Sequence, residues 1–268
     1  MLFRNKKRVF QSQIFTTPHQ ETFHLSDYQE KAIALVQNLP YTQTYKFNLG
    51  DELFNSNNLI LSSEESKCST PTNLYLICDG RIRLLCQNLE SSRQIPVMAL
   101  GRGEWFGYDG CSSHPGLPYR AIAASSGWVS CISHRNRGYL NHHLPQLSQH
   151  LFECNQVREY LLFFKRYTSF QAYPSVVLRQ ILIPHLTKLE IAAGTYLNHL
   201  SSAPHSRFWL RSGQIISLNN RSIVPAIGDS WGYPHPIPSN WLAQTSLVIY
   251  QLNLKPWEHQ IAPPLIQI

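Results

Sequence analysis

Two six-residue stretches of this 268-residue chain follow one pattern. Gly103-Glu104-Trp105-Phe106-Gly107-Tyr108 and Gly228-Asp229-Ser230-Trp231-Gly232-Tyr233 both read glycine, acid, any residue, aromatic, glycine, tyrosine. A match this short takes its meaning from its flanks. Upstream, the run from Leu74 to Ile82 is echoed by Phe208 to Ile215, with Gly80 against Gly213. Further upstream, Phe47 to Leu53 is echoed by Ile191 to Leu197, with Gly50 against Gly194. Downstream, Arg120-Ala121-Ile122-Ala123 lines up with Leu242-Ala243-Gln244-Thr245. The offsets at these landmarks are 144, 133, 125 and 122, so order is kept while the connections of the second copy shorten. Such a chain is expected to fold as a tandem duplication of one unit, trimmed in its second copy.

Each copy consists of short apolar runs, rich in branched and aromatic residues and separated by Gly, Asn, Ser and Pro. That is the pattern of short strands in a sandwich or small barrel. In the first copy strands are expected near Tyr45–Phe47, Leu59–Leu61, Leu74–Cys78, Ile82–Leu85, Gln94–Ala99, Tyr119–Ala123 and Val129–Ser133. Helices flank them. Ser26-Asp27-Tyr28-Gln29 reads as a capping box, followed by Ala32, Leu35, Val36 and Leu39 at helical spacing and stopped by Pro40. After the last strand, Leu140, Leu144, Leu147 and Leu151, then Val157, Tyr160, Leu161, Phe164 and Tyr167, continue an apolar helical stripe, with Pro145 suited to a first turn. Val177, Leu178, Ile181 and Leu182 begin another helical pattern behind Ser175.

Helix, strands, glycine-turn cassette, helix: the arrangement resembles the cyclic-nucleotide-binding domain family over roughly residues 26 to 252. Leu76-Ile77-Cys78-Asp79-Gly80-Arg81-Ile82 is similar to that family's strand pair before the cassette, and Gly103 to Gly107 to the opening of its phosphate-binding cassette. The fold class implied is mainly β with flanking helices, as two tandem jelly-roll-like β-rolls. The resemblance also implies a ligand site. Backbone N–H groups at a short helix start would face a cyclic phosphate, an arginine would neutralise it, and a glutamate would accept from the ribose hydroxyl.

Carried across residue by residue, the site would comprise Gly103, Glu104, Phe106, Gly107, Tyr108, Tyr119, Arg120 and Ala121, and it departs from the family at two key positions. Tyr108 stands where the ribose glutamate is implied, and Tyr119 where the phosphate arginine is implied, two residues before Ala121. Arg120 is displaced by one, which in a strand turns a side chain to the opposite face; should the first copy bind an anion, Arg120 is the expected partner. In the second cassette, Gly228, Asp229, Trp231, Gly232 and Tyr233, the tyrosine recurs and Trp241 takes the arginine position. Pro234, Pro236 and Pro238 remove backbone donors there. A phosphate buried without a cation is costly, so neither copy is expected to bind a cyclic nucleotide and no cofactor is expected. Tyr108 and Tyr233 are expected to fill the core beside Trp105, Phe106 and Trp231.

Composition narrows the function classes. Net charge is +7, but Arg4, Lys6, Lys7 and Arg8 supply four of it, leaving a mildly basic body and no dedicated nucleic-acid surface. The first 20 residues read as a disordered basic arm capable of weak contact with an acidic membrane surface. No apolar core follows those charges as in a signal peptide, and no stretch approaches the ~20 apolar residues of a membrane span; the expected location is cytoplasmic. Six cysteines, Cys68, Cys78, Cys86, Cys111, Cys131 and Cys154, include no CxxC pair and read as reduced; Cys111, near His114, is the one candidate for a reactive thiol. His142-His143 is the only close histidine pair and lies off the strands, so a cupin-type metal site is not expected. Glu64-Glu65 reads as a solvated charge run. After the second copy there is no room for a helix-turn-helix.

The expected organisation is a basic arm (1–20), a first domain (21–155), a helical connector (156–186) and a degenerate second domain (187–268). A narrower resemblance, carried by the paired cassettes and by Leu161-Leu162-Phe163-Phe164-Lys165 between them, is to the tandem region at the N-terminus of cyanobacterial peptidase-containing ABC exporters. It implies a non-enzymatic regulatory module, without catalytic residues, that senses a ligand or partner and acts on a peptide exporter; the alternative is a ligand-free interaction scaffold. The connector carries more apolar residues than one helix face needs, so Phe163 and Phe164 are expected to form an inter-domain core with Val177 and Ile181.

Overall fold

The structure, a computed structural model, describes residues 25–39, 42–56, 73–89, 92–107, 116–133, 136–144, 146–202, 205–219 and 223–254. Helix α1 (Leu25–Gln37) precedes β1 (Gln43–Phe47), β2 (Glu52–Asn55), β3 (Leu74–Asp79), β4 (Ile82–Gln87), β5 (Gln94–Leu100), β6 (Trp105–Gly107), β7 (Arg120–Ala123) and β8 (Gly127–Ile132). Helices α2 (Arg137–His143) and α3 (Leu147–Tyr167) follow, then a turn at Ser169–Ala172 and an irregular helical stretch over 175–185. The remaining strands are β9 (Leu186–Ile191), β10 (Ser206–Ser212), β11 (Ile215–Ser217), β12 (Ser230–Gly232), β13 (Trp241–Ala243) and β14 (Leu247–Asn253). The protein is mainly β with flanking helices, as expected. The basic arm, Leu59–Leu61, Glu64, Glu65, Cys68, Tyr108, Cys111, His114, Pro40 and Pro145 lie outside the described residues.

The strands form antiparallel sheets in two sets. The first set has the orders β1-β8-β3-β6 and β2-β7-β4-β5; the second has β9-β14-β10-β12 and β11-β13. Strand for strand, β9, β14, β10 and β12 repeat the order of β1, β8, β3 and β6. Within the first roll, β4 alternates as a half-buried strand must: Ile82, Leu84 and Cys86 point in, Arg83 and Gln87 out. In β3 all five residues from Leu74 to Cys78 are buried, because one face lines the roll and the other lies under helices. Leu74, Leu76 and Cys78 share a core with Ala32, Ile33 and Val36 of α1 and with Leu140, Leu147 and Leu151 of α2 and α3. The helix starts at Leu25, so Ser26 falls in its first turn and is not the expected N-cap.

Ladder registers correct the expected downstream alignment. Ile82 pairs with Ala123, and Ile215 with Ala243. Gly50 N–H donates to Ala123 O at 3.0 Å, as Gly194 N–H does to Ala243 O at 2.8 Å. Ala123 therefore corresponds to Ala243, an offset of 120 (243 less 123), and Trp241 corresponds to Ala121 rather than to Tyr119, whose counterpart is Ser239. Ala121 and Ala123 are two residues apart on one strand and share a face, so the side-chain pattern alone fits either. The second set is also shorter at one particular place. From Ile82 to Gly103 is 21 residues, but from Ile215 to Gly228 only 13 (103 less 82; 228 less 215). No described strand of the second set stands where β5 pairs with β4; residues 223–226, with Pro225 among them, form none.

Helix α3 joins the two sets. Six consecutive residues, Tyr160 to Lys165, are buried, whereas a helix covered on one side buries only a stripe. One side packs on β4 and β5. On the other, Phe163 meets Tyr250 edge-on at 4.9 Å and Phe164 meets Trp209 at 5.4 Å. A single apolar cluster thus runs from Phe47 and Tyr75 in the first roll through Phe163 and Phe164 to Trp209, Val248 and Tyr250 in the second. Val177 and Ile181, expected at the centre of this joint, pack against it half-buried, while Leu178 and Leu182 are buried within it. The boundary expected between residues 155 and 156 falls inside α3.

Candidate functional site

The two cassettes are built from the same bonds. Glu104 Oε2 accepts from Gly101 N–H at 2.6 Å and Asp229 Oδ2 from Ala226 N–H at 2.9 Å, so the acid of the motif closes the turn before its strand. Gly103 N–H donates to Ile77 O at 2.8 Å and Gly228 N–H to Leu210 O at 2.9 Å. The second glycine of each motif has φ near 90° (91° at Gly107, 94° at Gly232). A Cβ there would stand 2.5 Å from Asn73 O or from Ser206 O respectively, so sterics alone require glycine. A Cβ on Gly103 would strike Gln29 of α1, and one on Gly228 would strike Tyr167 at the end of α3. The end of α3 therefore stands to the second roll as α1 stands to the first.

Inside the first roll, the protein's own aromatic side chains gather beside Gly107. Phe54, Tyr75, Phe106 and Tyr119 form a ring cluster, with Tyr75 stacked on Phe106 at 4.9 Å and Phe54 against Tyr119 at 5.0 Å. The Tyr119 hydroxyl accepts from Gly107 N–H at 2.9 Å and donates to Gly107 O at 3.1 Å. Arg158 of α3, 3% exposed, comes to the same point. Its guanidinium donates to Trp105 O at 2.8 Å, to Tyr119 Oη at 3.2 Å and, more distantly, to Gly107 O at 3.4 Å. It also lies 5.4 Å from the centre of the Tyr119 ring. A cation and a phenol are thus bound together to the backbone of Trp105 and Gly107.

Helix α3 reaches the second roll with the next residue. Glu159 Oε1 accepts from the Tyr250 hydroxyl at 3.1 Å and lies 3.3 Å from Arg211 Nε, which is 8% exposed. Neighbouring helix residues point about 100° apart, so Arg158 and Glu159 reach different rolls from one element. Sequence reading missed both. The available signal was spacing: Arg158, Leu161, Leu162 and Lys165 fall at i, i+3, i+4 and i+7, which places two cations on a buried stripe.

The remaining expected site residues divide. Ala121 and Phe106 are buried in the roll. Arg120 is turned to the outer face, where both its Nε and a terminal nitrogen bind the Glu52 carboxylate; its charge is engaged away from Tyr119, as strand alternation requires. In the second roll Trp231 stacks on Phe208 at 5.9 Å and meets Trp241 edge-on at 6.3 Å. Tyr233 does not fill that core: it is 44% exposed, its ring beside His205. The core is already occupied by Trp231 and Trp241. Cys78, Cys86, Cys131 and Cys154 are free thiols. Burial pushes Cys86 up to about 11 and raises Cys154 as well, which disfavours the reactive thiolate. Among the described residues no group of three metal-ligating side chains comes together, and no helix is long and apolar enough to cross a membrane.

No family model and no curated relative matches the chain by sequence. Among solved structures, it is similar to the regulatory domain of Toxoplasma gondii PKA co-crystallised with cAMP, at 13% identity and a TM-score of 0.31 over 89% of this chain and 92% of that one. It is similar also to the regulatory subunit of a cAMP-independent protein kinase A from Trypanosoma cruzi bound to guanosine, at 15% identity and a TM-score of 0.32 over 91% and 87%. Thermus thermophilus catabolite activator protein gives 18% identity and a TM-score of 0.32 over 52% and 61%. The class is defined by the chain's own strand order and turn bonds: a mainly β protein of double-sheet rolls with flanking helices.

Proposed function

We propose that this chain is a non-enzymatic regulatory module of two degenerate cyclic-nucleotide-binding-like rolls, derived by duplication, that responds to a protein partner and not to a cyclic nucleotide. The observation that carries the reading is the Tyr119–Arg158 pair bound to Gly107. It binds the backbone at the end of the Gly103–Gly107 run and fastens that run to α3, whose next residue holds the second roll. An event that shifts α3 is thereby felt in both rolls. The partner we assign is an ABC-type peptide exporter at the cytoplasmic side of a membrane, on the resemblance of the paired cassettes and the Leu161–Lys165 run.

Calorimetric titration with cyclic AMP and cyclic GMP tests the first part. Neither should bind the wild-type chain, and a micromolar or tighter Kd for either would overturn the reading. A ligand-free scaffold is the second reading, favoured by the bonds that Tyr119 and Arg158 make to Gly107. The two part at α3. On partner binding, a regulator changes amide exchange at Trp105–Gly107, over which Arg158 lies, whereas a scaffold protects only the surface the partner covers.

A further inference from the structure

Helix α1 is held to the first roll in three ways. Its apolar residues Ala32, Ile33 and Val36 pack with Leu74, Leu76 and Cys78 of β3. Its Glu30 accepts from Arg102 Nε at 2.9 Å and from a terminal nitrogen at 2.7 Å, in a solvent-exposed ion pair that contributes little by itself. Nearer its start, Tyr28 meets the ring of His150 on α3 edge-on, with ring centres 5.6 Å apart. The residue beside Tyr28 is Gln29, which lies so close over Gly103 that a Cβ there would stand 2.5 Å from it. The Tyr28–His150 contact is therefore next to the start of the first cassette.

The surroundings of this contact suit a neutral imidazole. His150 Nε2 lies 3.6 Å from Cys154 Sγ, one turn along α3, within reach of a thiol–imidazole hydrogen bond. The Tyr28 hydroxyl is buried with no hydrogen-bond partner, and burial pushes it up to about 12 and raises the Cys154 thiol. Burial likewise holds His150 below its usual 6.5, outweighing the opposite pull of Glu153 and Glu104. The reason is geometric. Glu104 accepts from Gly101 N–H at 2.6 Å and Glu153 from Gln149 Nε2 at 2.7 Å, so both carboxylates are turned to other donors. The titratable groups around His150 are thus Tyr28 from α1, Glu104 from the β5–β6 turn, and Glu153 and Cys154 from α3. The charges of Arg158 and Arg179 reach Cys154 as well, and they have the wrong sign to favour an imidazolium.

We propose that His150 is an acid-responsive latch on α1: protonating its ring weakens the hold of α1 on α3 and the first roll, and loosens the cover over Gly103. An imidazolium has no lone pair to accept from the Cys154 thiol, and it brings a charge into a half-buried site whose carboxylates bond elsewhere. With α1 undocked the ring meets water and takes up a proton at about 6.5. Below that pH the undocked form binds more protons than the docked one. Docking therefore loses stability as pH falls through 6.5 and recovers it as pH rises. Glu30 has no share in this, because the bonds from Arg102 hold it below its usual 4.5 and it stays charged. In the second roll the matching cover, on Gly228, is Tyr167 of α3 itself, so there the cover and the joint are one helix. This inference stands apart from the regulatory reading, since it needs no partner.

Hydrogen exchange of the full chain at about pH 7.5 and about pH 5.5, corrected for the intrinsic rate at each, tests the latch across the range where histidine titrates. The opening constant of the α1 amides should rise at the lower pH relative to that of β10. The rise should not exceed ~10-fold, the ceiling for one proton over one unit of pH. His150→Phe keeps an edge contact with Tyr28 and takes no proton, so its α1 should open equally at both pH values. His150→Gln, a neutral change at a half-buried position, serves should the phenylalanine variant fail to fold. An α1 opening constant that is the same at both pH values in wild type, or that rises as much in a folded variant, overturns the proposal.

Discussion

The Tyr160 ring meets Tyr250 edge-on at 4.8 Å in the seam between α3 and β14. Burial pushes the Tyr160 phenol up to about 12. Tyr250 is raised well above its usual 10.0, first by burial and then by the Glu159 carboxylate beside it. Folded and unfolded chains both keep these protons below pH 10. Above it the unfolded chain releases protons that the folded chain retains, so stability falls as pH rises, by up to about 1.4 kcal/mol per pH unit per group. Cys86 has the same sign from its usual 9.0 to about 11. The Lys165 ammonium is lowered by burial while donating to Gln171 O and Tyr173 O; it works in the opposite direction, adding stability as pH rises, but only up to 10.5. Urea midpoints should therefore drop between pH 10.5 and 12, and Tyr160→Phe should shrink the drop. A drop of undiminished size in the variant would remove Tyr160 from the account.

At the scale of elements, α3 is the member buried on successive faces over Tyr160–Lys165. Phe164 is fully buried, with edge or tilted contacts to Phe163, Phe170, Trp209 and Tyr250. Phe164→Ala should cost about 3–5 kcal/mol, the range for truncating a buried ring; a urea-unfolding free energy within 1 kcal/mol of wild type would mean that the helix is not the joint. This helix was legible in sequence because its apolar residues exceed one stripe, and the strands β3, β4, β5 and β8 because they alternate or run apolar between glycines. Strands β2 and β6 were not: Glu52–Asn55 holds two polar residues in four, and Trp105–Gly107 is only three residues long. The turn glycines were legible through their spacing. The roles of Arg158 and Tyr119 were not, because the two side chains meet across 39 residues of sequence that only the fold brings near. Tyr233 misled for a related reason: the six-residue echo repeats its identity, but the space its ring would fill is taken by two tryptophans.

At the scale of the whole molecule, the continuous cluster from Phe47 to Tyr250 ties the stability of the two rolls together. Contacting units that share one buried core unfold as one cooperative step. Native-state hydrogen exchange should accordingly give amides of β3 and of β10 and β14 a common opening free energy, and Phe164→Ala should lower both equally. Two resolved thermal transitions, or protection lost in the second roll alone, would show the rolls to be independent.

The position of α3 between the rolls has a consequence for synthesis. Chains emerge from the ribosome N-terminus first, at roughly 5–20 residues per second. Phe163 and Phe164 therefore appear before Trp209 and Tyr250, the residues that cover them, and the interval is several seconds. During that interval the newly completed first roll carries a sticky aromatic face. The nascent protein must fold its second half promptly or have that face shielded, and a message truncated between the rolls would yield an aggregating product rather than a small spare domain.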